Sequence, residues 1–264
     1  MGLSAAERER YARHLSLPEI GERGQERLRA GHVALVGAGG LGSAAAFYLA
    51  AAGVGTLTIL DDDVLAMSNL QRQILHRTAD IGRPKVESAA ERLGALNPEV
   101  RIEAVRLRLT RANAGKYLVA CDFVVEATDN LASKFLIAEA CHAVGKPCSH
   151  GGIDRFSGQT MTVLPGRTAC YRCVFGVSPP EAAGVLPAGP LGAVPGVIGC
   201  IQATEAVKHL LGIGSGLTNR LLAYDALQMQ FRCIPVRRSP SCPLCGEGAG
   251  VGVLARKGAG EDYA

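Results

Sequence analysis

A five-residue run, His32-Val33-Ala34-Leu35-Val36, leads straight into Gly37-Ala38-Gly39-Gly40-Leu41-Gly42, and no other feature of the chain restricts its fold as much. A short apolar run closed by a Gly-rich turn reads as a buried strand. The Ala-rich stretch 43–52 then reads as a helix. After Gly53-Val54-Gly55 a second apolar strand, 57–60, ends in Asp61-Asp62-Asp63. Strand, glycine turn, helix, strand is the first unit of a doubly wound α/β sheet. Gly37, Gly39 and Gly42 let backbone N–H groups approach a phosphate, and the helix N-terminus adds partial positive charge. Asp61, at the end of the second strand, stands where a carboxylate accepts both ribose hydroxyls. This pattern predicts a bound nucleotide without choosing among NAD, FAD and ATP.

The alternation continues downstream. Pro84 opens a predicted helix over 86–96, and 100–107 and Phe123–Glu126 read as strands. Ala127-Thr128-Asp129-Asn130 closes the latter, and a helix follows over Leu131–Val144. Residues 147–164 suggest a hairpin about Ser157-Gly158, hence an antiparallel extension of a mostly parallel, Rossmann-like sheet. The Gly/Pro/Ala-rich stretch 176–196 reads as a loop, 196–211 as a helix, and 220–225 and 228–236 as strands before a Cys-bearing turn. Ser4-Ala5-Ala6-Glu7 has capping-box spacing, so helices are expected within 1–30, with a second short amphipathic stretch at 17–29. A single domain over 1–245 is expected, with a flexible Gly/Ala-rich tail at 246–264.

Composition excludes several classes. With 48% apolar residues in 264, the chain can bury a core and is not disordered throughout. A net charge of +4, from 28 basic against 24 acidic residues, is too weak to argue for nucleic acid or a membrane surface. No apolar run approaches the roughly 18–20 residues of a membrane span, and Glu7 and Glu9 stand where a signal peptide needs apolar residues. Nine cysteines, four of them in two CxxC pairs, favour reduced thiols and metal over disulfides, so a cytoplasmic location is expected.

Four further motifs occur in order: Asp61-x-Asp63, Ser68-Asn69-Leu70-Gln71-Arg72-Gln73, Gly82-Arg83-Pro84-Lys85 and Thr128-Asp129-Asn130. Taken singly, Arg72 and Lys85 read equally as surface charges, and Asp129 or Asn130 as a helix cap. Taken together they resemble the ATP site of the ubiquitin-activating superfamily, in particular the ThiF/MoeB/HesA adenylyltransferases. The resemblance runs from Tyr11 to Cys245. It implies adenylation of the C-terminal glycine carboxylate of a small ubiquitin-like sulfur-carrier protein, with ATP and Mg²⁺, for molybdopterin, thiamine or related sulfur insertion. By the same resemblance Arg72 and Lys85 serve the phosphates, Asn69 and Gln73 position them, Asp61 holds the ribose and Asp129 holds Mg²⁺. Arg13, in Tyr11-Ala12-Arg13-His14, resembles an arginine that reaches the other subunit's γ-phosphate, which implies a homodimer with shared sites; the alternative is a helix-surface arginine. There is no room for an appended rhodanese-like domain, so a separate sulfur donor is expected.

Cys170-x-x-Cys173 and Cys242-x-x-Cys245 supply two thiolate pairs, the donor set of a tetrahedral structural zinc site. A redox CxxC is the alternative, weakened by there being two. The family carries zinc on the same pairs. Where relatives place a conjugating cysteine in the loop before Gly196-Val197-Ile198-Gly199, this chain has Val185, so no covalent adduct with the carrier is expected. Cys121, Cys141, Cys148, Cys200 and Cys233 read as small core residues, and His76 and His150 as core or surface residues without an evident partner. Two competing functions remain: a nicotinamide-dependent oxidoreductase, which explains neither the Arg72/Lys85/Asp129 set nor the cysteines, and a non-catalytic zinc-bearing binding module.

Overall fold

The computed structural model describes residues 2–176 and 189–247. Three helices open it: α1 (Ala5–Arg10), α2 (Ala12–Leu15) and α3 (Gly21–Ala30). The expected capping box starts α1, with Glu7 N donating to Ser4 Oγ and Ser4 N donating to Glu7 Oε2.

Eight strands form one sheet in the order β3-β2-β1-β4-β5-β6-β7-β8. The first five in that order, β3 (Arg101–Val105), β2 (Thr56–Leu60), β1 (His32–Val36), β4 (Phe123–Glu126) and β5 (Cys148–Asp154), run parallel. The remaining β6 (Ser157–Val163), β7 (Arg220–Asp225) and β8 (Gln230–Pro235) are antiparallel. The mostly parallel α/β sheet with its antiparallel extension is therefore as expected.

Parallel strands are covered on both faces, so alternate residues of each strand feed different cores. Val33 and Leu35 of β1 pack toward α4 (Gly40–Ala51), α5 (Lys85–Leu96) and α9 (Ala193–Leu211). Ala34 and Val36 pack toward α6 (Ala114–Leu118) and α7 (Leu131–Val144). Neither α6 nor α8 (Tyr171–Phe175) was expected, because five residues are too few to display a helical period. The chain runs outward from β1 through β2 to β3 and then returns to β4 on the other side of β1. That reversal opens a crevice beyond the carboxyl ends of β1 and β4, where open α/β sheets hold ligands.

Other expectations need correction. The hairpin turn is Arg155-Phe156, not Ser157-Gly158; Ser157 pairs with Asp154, inside the ladder. Gly158 is small because α9 crosses it: a Cβ there would lie 2.5 Å from Ile198 Cγ1. Helix α9 begins at Ala193, ahead of 196, since Pro195 in a first turn forfeits no intrahelical bond. Cys233 is exposed, because β8 is an edge strand with no layer above it, and Cys200 is only half-buried, whereas Cys121, Cys141 and Cys148 are core. Val185 and tail residues 248–264 lie outside the described residues. Among those described, no helix is long and apolar enough to cross a membrane.

Candidate nucleotide site

The turn after β1 does what its glycines allow. Gly37 has φ 102°, a left-handed value. A Cβ on Gly42 would stand 2.0 Å from the Gly37 carbonyl oxygen, so only glycine lets α4 close on its own approach. Helix α4 starts at Gly40 rather than at 43, and no side chain caps it. Its first N–H groups therefore face the crevice with the positive end of the helix dipole.

A cavity of about 230 Å³ occupies this crevice, lined by Gly37, Gly39 and Gly40 on one wall. Asp61 lines it from the end of β2, with Oδ2 accepting from Ala38 N (2.8 Å) and Oδ1 from Asp63 N (2.9 Å). Burial pushes the Asp61 carboxyl up, against the pull of Lys85 and these two N–H donors. Lys85 is 5% exposed and reaches Asp63 Oδ2 at 2.6 Å. Its placement comes from residues 61–65 and 82–85 running side by side: Leu65 N donates to Arg83 O and Lys85 N to Asp63 O. Arg72 and Gln73 enter from the third side. Thr128, Asp129 and Asn130 line the fourth, beyond β4; Asn130 also caps α7, its Oδ1 accepting from Ser133 N at 2.8 Å.

Three expected residues stand elsewhere. Gly42 shapes the turn from behind. Asn69 does not line the cavity; its Oδ1 accepts from Ala66 N, and its carbonyl accepts from Arg72 N and Gln73 N, so it builds the turn that aims those two. Arg13 is exposed on α2 and does not line this chain's own cavity.

The donor set fits a nucleotide triphosphate. Gln73 is buried, yet its Oε1 has no hydrogen-bond partner, a polar atom left for a ligand or water. Leu107, Leu109, Leu136 and Ile137 form an apolar end suited to a base, with Arg108 beside them. Sequence reasoning missed these, since they come from two separate segments, 107–109 and 136–137, with no motif between them.

It also missed Glu126, Lys134 and their neighbour His150. Glu126 is wholly buried, with Lys134 Nζ 3.0 Å from both its oxygens and His150 Nδ1 3.5 Å from Oε2. Burial pushes this carboxyl up, but Lys134, His150 and Thr128 more than offset that and hold it at about 2. His150 is a core residue, as expected, with Nδ1 facing that carboxylate but making no hydrogen bond. His76 is also tied in, between Ser88 Oγ (2.9 Å) and the Ala38 carbonyl (3.0 Å).

A second cavity of about 450 Å³ lies on the other side of Asp129, along β5, β6 and β7 and under Tyr171 and Phe175. Asp129 and Ile153 line both cavities.

At the far end of α8 the sulfurs of Cys170, Cys173, Cys242 and Cys245 lie within 4.8 Å of one another. The Cys170–Cys242 and Cys173–Cys245 separations are 3.5 and 3.4 Å. Zinc–sulfur bonds of about 2.3 Å in a tetrahedron place sulfurs about 3.8 Å apart. The cluster is compatible with zinc.

Residues 11–244 match the ThiF family. The chain belongs to the ThiF family. The SAMP-activating enzyme E1 of Haloferax volcanii is 46% identical over 252 residues, covering 94% of this chain and 92% of that relative. The sulfur carrier protein adenylyltransferase of Thermus thermophilus is 46% identical over 248 residues, covering 91% and 92% respectively. Among solved structures, E. coli MccB with MccA-N7isoASN superposes with a TM-score of 0.82 at 23% identity, covering 93% of this chain and 76% of that one. At that identity the likeness is one of fold.

Proposed function

We propose that this ThiF-family chain adenylates the C-terminal carboxylate of a small ubiquitin-like sulfur-carrier protein, using ATP and releasing pyrophosphate. The observation that carries this reading is the meeting of two cavities at Asp129, one whose lining fits a nucleotide and the other running along β5, β6 and β7. A carboxylate arriving along β5 and β6 meets the α-phosphate at that junction.

A carboxylate is a weak nucleophile, and the triphosphate repels it. The site therefore needs fixed positive charge where negative charge develops. Arg72 and Lys85 supply it at the phosphates, the uncapped start of α4 adds backbone N–H groups, and Asp61 holds the ribose. Lys85, held against Asp63, has its ammonium at the cavity wall beside the phosphates. Asp129 is the residue to hold Mg²⁺, which when bound spreads the triphosphate's charge. The four cysteines hold a structural zinc. Arg13, remote from its own cavity, serves a second copy's ATP in a homodimer.

Radiolabelled pyrophosphate exchange into ATP tests this with candidate carriers. Exchange should depend on one carrier and fall at least ~100-fold in Asp129→Asn and in Lys85→Ala, the loss typical of removing one transition-state stabilising group. ATP with Mg²⁺ should raise Tm while NAD(H) leaves it unchanged. Near wild-type exchange in both folded variants would remove Asp129 and Lys85 from these roles, and absence of exchange in the wild type with every carrier would favour a non-catalytic zinc-bearing module.

A further inference from the structure

Thr128, the residue before Asp129, has all its polar groups held by one buried ion pair. Its N–H and its hydroxyl both donate to Glu126 Oε1, at 2.8 and 2.6 Å. Its carbonyl accepts from Lys134 Nζ at 2.7 Å. The same ammonium donates to the Gly151 carbonyl on β5. Lys134 therefore binds a carboxylate and two carbonyls, which uses all three of its protons. On the other side of Asp129, Asn130 is fixed as the cap of α7. Asp129 itself is exposed between two immobilised neighbours.

The pair joins three elements: Glu126 ends β4, Lys134 sits in the first turns of α7, and Gly151 belongs to β5. Those elements form the wall that separates the two cavities, and Lys134 lines the second. Fold stability alone is a poor reason for such an arrangement, because a well-packed apolar pair often does as well as a buried ion pair. Its bonds are instead concentrated on the one residue that precedes the carboxylate shared by both cavities.

We propose that Glu126 and Lys134 form a positioning clamp that holds the Asp129 carboxylate where it takes Mg²⁺ together with ATP. The clamp rests on the reading of Asp129 as the metal residue. Neither Glu126 nor Lys134 touches the metal; both act through Thr128. Glu126 does not line the nucleotide cavity, and neither does Lys134, so a change in the clamp reaches that cavity only through Thr128 and Asp129 and leaves the glycine turn, Arg72, Lys85 and the apolar end in place.

That separation supplies the test. ATP binding is measured by calorimetry in EDTA and again across a Mg²⁺ titration, for wild type, Asp129→Asn and the neutral double variant Glu126→Gln/Lys134→Met. The double variant leaves no uncompensated charge inside, and the new amide still offers Thr128 an acceptor. Affinity in EDTA should stay within about twofold while the Mg²⁺ requirement rises at least about tenfold, the range lost when a metal ligand's outer partner is removed. Asp129→Asn should move the same way. Lys134→Arg, which keeps charge and donors, should restore most of the wild-type requirement. If circular dichroism shows the double variant unfolded, Glu126→Asp takes its place: it keeps the charge, draws the carboxylate back from Thr128, and should raise the requirement several-fold. A wild-type Mg²⁺ requirement in a folded clamp variant, with Asp129→Asn impaired, overturns the clamp and leaves Asp129 in its role. A wild-type requirement in Asp129→Asn itself overturns both.

Discussion

Asp61 carries a conflict between binding and stability. Burial at the end of β2 raises its carboxyl above the ordinary 3.8, although Lys85 and two backbone N–H groups oppose the shift. An acid whose folded pKa is raised holds more protons folded than unfolded between the two values. Stability therefore falls as pH rises through that window, and the cost persists at neutral pH. Asp61→Asn should melt higher than wild type at pH 7 without nucleotide, the two converging below about pH 4 as the wild-type acid protonates in both states. The same variant should lose ATP binding, because an amide cannot accept from both ribose hydroxyls as a carboxylate does. Thermal denaturation across pH, with and without ATP, checks both halves. Lower stability of the variant at pH 7 would contradict the burial argument.

At the scale of elements, the cysteine cluster ties a five-residue helix and a C-terminal turn into the sheet. Helix α8 is too short to hold itself together. Tyr171 on it packs on Phe135 and His150, with ring centroids 5.1 and 4.7 Å apart, so α8 roofs the second cavity. Cys242→Ser should abolish binding of one zinc per chain, read by metal analysis, and lower Tm by at least about 5 °C. ATP affinity should hold, since no cysteine of the cluster lines the nucleotide cavity. Purified wild-type protein without zinc would remove this role. The paired CxxC spacing was readable in the chain because each knuckle is local; that both knuckles meet was an inference until the four sulfurs were seen together. Helix α8, which carries the first knuckle, was not readable, nor was the exposure of Cys233, which depends on β8 being the sheet's last strand.

For the whole molecule the question is where Arg13 acts. It lies exposed on α2, outside the cavity of its own chain. If it serves a second copy, Arg13→Ala and Lys85→Ala are each inactive alone yet complement each other when mixed and allowed to exchange subunits. Half the dimers are then mixed, each with one intact composite site, and exchange activity should return to about a quarter of wild type for a symmetric dimer. Sedimentation should show the dimer under the same conditions. No recovery, in a mixture shown to have exchanged, would place Arg13 in its own chain's chemistry, and full activity of Arg13→Ala alone would leave it a surface residue.

The chain by itself determined the parts whose cause is local. The order of strands and helices follows from apolar runs and their breakers, and the phosphate-facing turn from glycines that alone accept φ 102° and a carbonyl where a Cβ would be. Arg72, Lys85 and Asp129 were singled out by the order of their motifs and the resemblance it carries, and the fold lines one cavity with all three. Tertiary structure decided what depends on which segments meet. It showed Asn69 building the turn that carries Arg72 and Gln73, and it gave Gly158 to the crossing of α9 instead of the hairpin turn. It set Glu126, Lys134 and Thr128 around the foot of Asp129, and opened a second cavity against the first. A charge inside an apolar strand or helix carries no sign of its partner in the sequence, because the partner is chosen by the packing of β4 against α7 and β5.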